Sequence, residues 1–101
     1  MSLRNSIQNA SRASANSGIL TAAGTALAQN NNRISGRIQN LGTNALFVKF
    51  GASASTTDFT VVLKAAAGAD DGSSPPYEIN AYLGLVTVAG TTPRFIASEE
   101  T

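Results

Sequence analysis

The chain contains no cysteine and no histidine. Their absence removes the disulfide framework and thiolate metal sites, the usual zinc sites, the Ser–His and Cys–His nucleophile pairs and the commonest general base. Tryptophan, the preferred platform for sugar rings, is absent as well. Charge is scarce: 13% of residues are charged and the net charge is +1, against about 25% charged in ordinary globular chains. The few Arg and Lys are scattered and form no basic stripe that could follow a phosphate backbone, so nucleic acid is not an expected partner. No stretch approaches the roughly 18 apolar residues of a membrane span, so no membrane is expected either. Arg4 and Arg12 are not followed by the apolar block of about 7 residues that a secretory signal carries, and synthesis is expected in the cytoplasm of the producing cell.

What is present is apolar and small. At 101 residues with 43% apolar content, the chain has material for one core and no second one. A surface with so few charges is expected to be covered in large part by partners.

Composition changes near Arg33. Residues 1–32 are rich in Asn, Ser, Ala, Gln and Thr, with Arg4 and Arg12 as their only charges and no aromatic residue. Leu3 and Ile7 lie four apart, as do Ile19 and Ala23, and Ala22, Ala23 and Ala26 favour helix. Gly18 and Gly24 interrupt the pattern, and Ser11, Ser14, Asn16 and Ser17 offer the backbone competing hydrogen bonds. Residues 1–32 therefore read as an extended or partly helical arm. Leu3, Ile7, Ile19, Leu20 and Leu27 are its candidate anchors on a neighbouring subunit or a shell, and residues 29–32 are its hinge.

Residues 33–101 hold every aromatic side chain and read as a β-domain, so the fold class is all-β: a small antiparallel β-sandwich or barrel-like domain. A first strand over 34–38 places Ile34 and Ile38 on one face. Asn40, Gly42 and Asn44 make a hairpin-like turn, and a strand over 45–50, ended by Gly51, puts Leu46, Val48 and Phe50 on one side and Phe47 and Lys49 on the other. Residues 58–64 alternate with Phe59, Val61 and Leu63 together, and residues 65–76 form a Gly-, Asp-, Ser- and Pro-rich loop. A long strand is expected from Tyr77 or Ile79 to Ala89 with apolar residues on both faces, then a turn at 90–93, a short strand over 94–97 and a frayed acidic tail. A strand with two apolar faces needs cover on both sides. Either a sandwich or barrel within one chain or a symmetric oligomer supplies it, and the second is the favoured expectation.

No constellation for catalysis, metal or cofactor binding stands out. Asp70, Asp71 and Gly72 lack the ligand spacing of a calcium loop and read as a solvated turn. The glycines match no phosphate-cradling loop, and Phe47, Phe50, Phe59 and Phe95 read as core.

The stretch from Arg37 to Gly51, Arg-Ile-Gln-Asn-Leu-Gly-Thr-Asn-Ala-Leu-Phe-Val-Lys-Phe-Gly, resembles small structural proteins of tailed bacteriophages. The Ala-, Ser- and Thr-rich loop after it and the later Val86-Thr-Val-Ala-Gly-Thr-Thr-Pro-Arg-Phe95 continue the likeness, which spans residues 33–99 and omits the arm. It implies a virion component, best a capsid decoration or cement protein. Such proteins form homotrimers on the outer capsid surface and bind the major capsid protein without a cofactor. A head-fibre base, a neck or tail protein, and a carbohydrate- or host-surface-binding module are the alternatives.

Overall fold

The computed structural model describes residues 14–101. Eight strands are present: β1 Ser14–Leu20, β2 Gly24–Leu27, β3 Ser35–Asn40, β4 Leu46–Phe50, β5 Val61–Leu63, β6 Tyr77–Ile79, β7 Val86–Ala89 and β8 Phe95–Glu100. They form two four-stranded antiparallel sheets, ordered β1-β8-β3-β6 and β2-β7-β4-β5. The domain is all-β, as expected, with no helix among the described residues.

The core lies between the sheets. Ile38, Ile79, Phe95 and Ala97 come from one sheet and Ala26, Leu27, Leu46, Val48, Leu63, Val86 and Val88 from the other, all buried. Period-2 alternation selects them: Gly36, Ile38 and Asn40 point inward along β3 while Ser35, Arg37 and Gln39 point out. Ile34, expected to share the inward face with Ile38, precedes the strand and is 54% exposed. Both four-stranded layers come from one chain. The inner apolar faces of the two sheets therefore close on each other within one chain.

The chain alternates between sheets at nearly every turn, and β4–β5 is the one consecutive pair that stays in a single sheet. The 40–44 segment accordingly joins β3 of one sheet to β4 of the other and is an arch, not a hairpin. Asn40 builds it. Its buried amide donates to the carbonyls of Asn44 (2.8 Å) and Lys64 (3.2 Å), and its Oδ1 accepts from Gly42 N (2.9 Å). Asn44 donates across to Thr92 Oγ1 at 3.0 Å.

The single long strand expected over 77–89 is two strands in different sheets. Ala81 adopts a left-handed backbone, φ 62°, and the 80–85 segment spends its carbonyls on side and main chains elsewhere: Leu83 O accepts from Asn30 N, and Tyr82 O and Gly84 O accept from Arg33. The second apolar face of β7 is covered from within. Thr87 Oγ1 donates to Gly51 O (2.6 Å) and accepts from Ala54 N (3.1 Å), laying the 51–54 loop over the strand.

The boundary expected at residue 32 does not separate arm from domain. β1 is hydrogen-bonded to β8 and β2 to β7, and β2 contributes Ala26 and Leu27 to the core. Among the described residues of the arm, arm character survives only in exposure, since Ser14 to Ile19 are exposed on both faces of an edge strand. The acidic tail is not frayed. β8 runs through Glu100 and is a central strand between β1 and β3, because both offer ladder partners as far as Glu100.

Candidate interaction surface

Of the five expected anchors, Leu3 and Ile7 lie outside the described residues. Leu27 is in the core, Leu20 packs against it, and Ile19 stands 49% exposed in a row with Ile96 and Gln39 on the outer face of its sheet. They make no common surface. The turn residues Asn40, Gly42 and Asn44 are occupied by the arch, and Gly51 O is held by Thr87, so all four serve the fold.

Of the four Phe side chains expected in the core, Phe59 is exposed and Phe47 is partly buried on an outward face. Phe95 is fully buried and Phe50 is partly buried, stacked on Tyr82 with centroids 4.9 Å apart. Phe47 lies on the outward face of β4, directly across from Val62 of β5, and Phe59 sets its ring edge against Phe47 at a centroid distance of 5.0 Å. Phe59 is 41% and Val62 42% exposed. The sequence carried half of this signal, because alternation in β4 already put Phe47 on the face opposite Leu46 and Val48. Phe59 was misplaced because residues 58–60 are outside the strand, so strand alternation does not assign its face.

Charges sit at the two ends of this patch. Lys49 donates to Asp58 at 2.6 Å at one end, and the exposed Lys64 follows the last residue of β5 at the other. Lys64 has no ion-pair partner among the described residues.

The outer face of the other sheet is polar. A shallow cleft of about 250 Å³ is lined by Ser14, Ser35, Arg37, Glu78, Ser98 and Glu100 among others, and Arg37 grips Glu78 at 2.9 and 3.1 Å. Among the described residues no three carboxylates converge as a metal site would need. Asp70 receives both a 2.6 Å bond from Arg94 Nε and another from Nη2, which holds its carboxyl below the ordinary Asp range. Asp71 accepts from Ser73 N and Gly68 N and is likewise lowered, chiefly by its bonds to Ser73. These acids tie down the 68–73 turn.

Arg33, read from sequence only as the start of the domain, is with Asn40 one of two buried side chains among the described residues that make four hydrogen bonds. With 1% of its side chain exposed, it donates from Nε to Glu99 (2.8 Å), from Nη1 to the carbonyls of Tyr82 (3.0 Å) and Gly84 (3.2 Å), and from Nη2 to Ala28 O (2.7 Å). Asn30 adds a bond to Glu99 at 3.1 Å. No feature of spacing marks one arginine of five for this role. No helix in the described residues is long and apolar enough to cross a membrane. No protein-family model matches the chain, and no match to it was found among curated proteins or solved structures.

Proposed function

We propose that this chain is a structural protein of a virus particle, a capsid decoration or cement protein that associates with its own copies as a homotrimer and binds the major capsid protein on the outer shell. The observation that carries the reading is the outward-facing patch of Phe59, Val62 and the partly buried Phe47, which no other described residue is seen to bond down and which lies outside the core cluster. Such an apolar patch, on a chain with 13% charged residues, favours contact with another protein surface. The resemblance of residues 33–99 to small phage structural proteins supplies the setting. A shell gains stability from modest contacts repeated by symmetry, which suits a small, rigid, low-charge module.

The test is a protein census of purified particles by quantitative mass spectrometry. A decoration protein is expected at a copy number comparable to that of the major capsid protein. A copy number like that of neck or fibre proteins would move it elsewhere in the virion, and its absence from particles would overturn the reading.

A further inference from the structure

β1 is held in place by its backbone more than by burial. Ser14 to Ile19 are exposed on both faces, and only Leu20 packs against the core, so the hydrophobic effect contributes little to keeping the strand where it lies. Its attachment is the ladder to β8, from Ser14 opposite Glu100 to Leu20 opposite Phe95, with a bond from Ala97 N to Ser17 Oγ at 3.1 Å. The outer edge of β1 is blunted at the register break between Asn16 and Ile19. There Asn16 Oδ1 accepts from Gly18 N at 2.9 Å and Ser17 Oγ donates to Gly18 O at 2.6 Å. An edge whose main-chain groups are taken by side chains at a bulge resists addition of a further strand outside it.

The connection that follows is short. Thr21, Ala22 and Ala23 carry the chain from β1 in one sheet to β2 in the other. Four residue steps reach at most about 14 Å, against about 10 Å between packed sheets, so little slack is left for the turn. All three residues are exposed, and no hydrogen bond ties them to another described residue. β2 is fixed, because Ala26 and Leu27 are in the core. A short connection between a barely buried strand and a fixed one favours strand exchange, since straightening it relieves the turn while the same ladder is made again on a neighbour.

We propose that β1 is exchanged between copies of this chain, with β1 of one copy lying on β8 of the next. A second copy's β1 is the occupant because the site on β8 is the one that β1 already fits, in the register from Ser14–Glu100 to Leu20–Phe95. Passing the strand head to tail closes a ring whose order follows from the measured mass. The inference rests on the homotrimer in the shell-protein reading and deepens it by naming the strand that copies share.

The experiment exploits the absence of cysteine. Ile19 and Ile96 are ladder partners across β1 and β8, at a separation close to what a disulfide spans. The full chain carrying Ile19→Cys and Ile96→Cys is oxidised, and its mass is read under denaturing conditions without reductant. The expected result is covalent multiples of the chain mass, linked between residues 19 and 96 in peptide mass spectrometry and returned to single chains by reductant. In the otherwise natural chain, inserting about four glycines between Ala22 and Ala23 relaxes the turn and should weaken association roughly tenfold or more, read by light scattering from micromolar to sub-millimolar concentration. Circular dichroism checks that both variants are folded. Single chains with an internal link between residues 19 and 96, links between like positions, a natural chain that is monomeric throughout the range, or association unmoved by the insertion each overturn the inference. Binding to the shell would stand after any of these results, because incorporation into particles is measured separately.

Discussion

Arg33 Nε and Glu99 Oε1 meet at 2.8 Å beneath the surface, one from the start of the β-rich region and the other two residues from the end of the sequence. Three more guanidinium hydrogens go to carbonyls of Ala28, Tyr82 and Gly84. One side chain thereby joins the end of β2, the break between β6 and β7, and the end of β8. Replacing Arg33 by Ala is expected to cost about 3–5 kcal/mol, because Glu99 and three carbonyls lose their donor at once. Arg33→Lys should recover little of this, since an ammonium does not reproduce the planar fork. Urea denaturation measures both, and a loss below about 1 kcal/mol for Arg33→Ala would contradict the account.

Acid should destabilise the domain. Burial alone would raise the Glu99 carboxyl, but the hydrogen bonds from Arg33 and Asn30 and the Arg33 charge outweigh it and hold it below its ordinary value of 4.5. Asp70 and Asp71 are lowered from 3.8. A folded-state value below the unfolded one contributes stability that is complete above the unfolded value and is lost as pH falls through the folded one. Urea midpoints are therefore expected to be level from neutral pH to about pH 5 and to drop below about pH 4. Glu99→Gln should flatten part of that drop.

The arch at Asn40 offers a second buried test. Asn40→Leu removes the donor to Asn44 O and the acceptor for Gly42 N, while Lys64 O keeps its 2.6 Å bond from Ser74 Oγ, and the expected cost is about 1–3 kcal/mol for the groups left unpaired. Asn40→Asp retains the acceptor but faces the two carbonyls with an oxygen, and should be no milder. Thermal unfolding of both variants decides this.

Gly90 requires its lack of a side chain. Its φ is +154°, and a Cβ there would lie 2.8 Å from the carbonyl oxygen of Ala45. Gly90→Ala is expected to lower stability by about 1–3 kcal/mol. Gly72→Ala, also at positive φ but with nothing within 4 Å of the added Cβ, should cost less, and equal losses in a denaturation series would contradict the steric account.

Truncation separates arm from domain. The eight described strands and the described core lie within residues 14–101, so a chain lacking residues 1–13 should preserve a cooperative transition. Removing residues 1–32 takes away β1, β2, Ala26 and Leu27 and should abolish it. Circular dichroism melts of the two truncations distinguish these outcomes.

Much of the fold was legible because local chemistry and global structure agree in it. The alternation Leu46, Val48, Phe50 marked β4, the Gly and Pro clusters marked the bends, and the succession of short alternating runs between turn signals marked an all-β domain. What alternation and turn residues do not encode is whether a bend keeps the chain in its sheet. Asn40, Gly42 and Asn44 look alike in a hairpin and in an arch, and the apolar run through 77–89 hides a change of sheet at Ala81. The strands at 14–20 and 24–27 were missed because Ser, Asn and Gly have low strand propensity, and pairing with β8 and β7 overrides it. The candidate surface was legible only in Phe47. Phe59 joins it through a ring contact across a loop that no periodicity reports.

The most direct measurement of the central claim is binding to shells that lack this protein. Purified chain is mixed with such capsids and sedimented, and the temperature at which the shells rupture is compared with and without it. Saturable co-sedimentation, at a level comparable to the major capsid protein, together with a raised rupture temperature is the expected result. Protein that stays in the supernatant at every concentration, with shells rupturing as before, would contradict it.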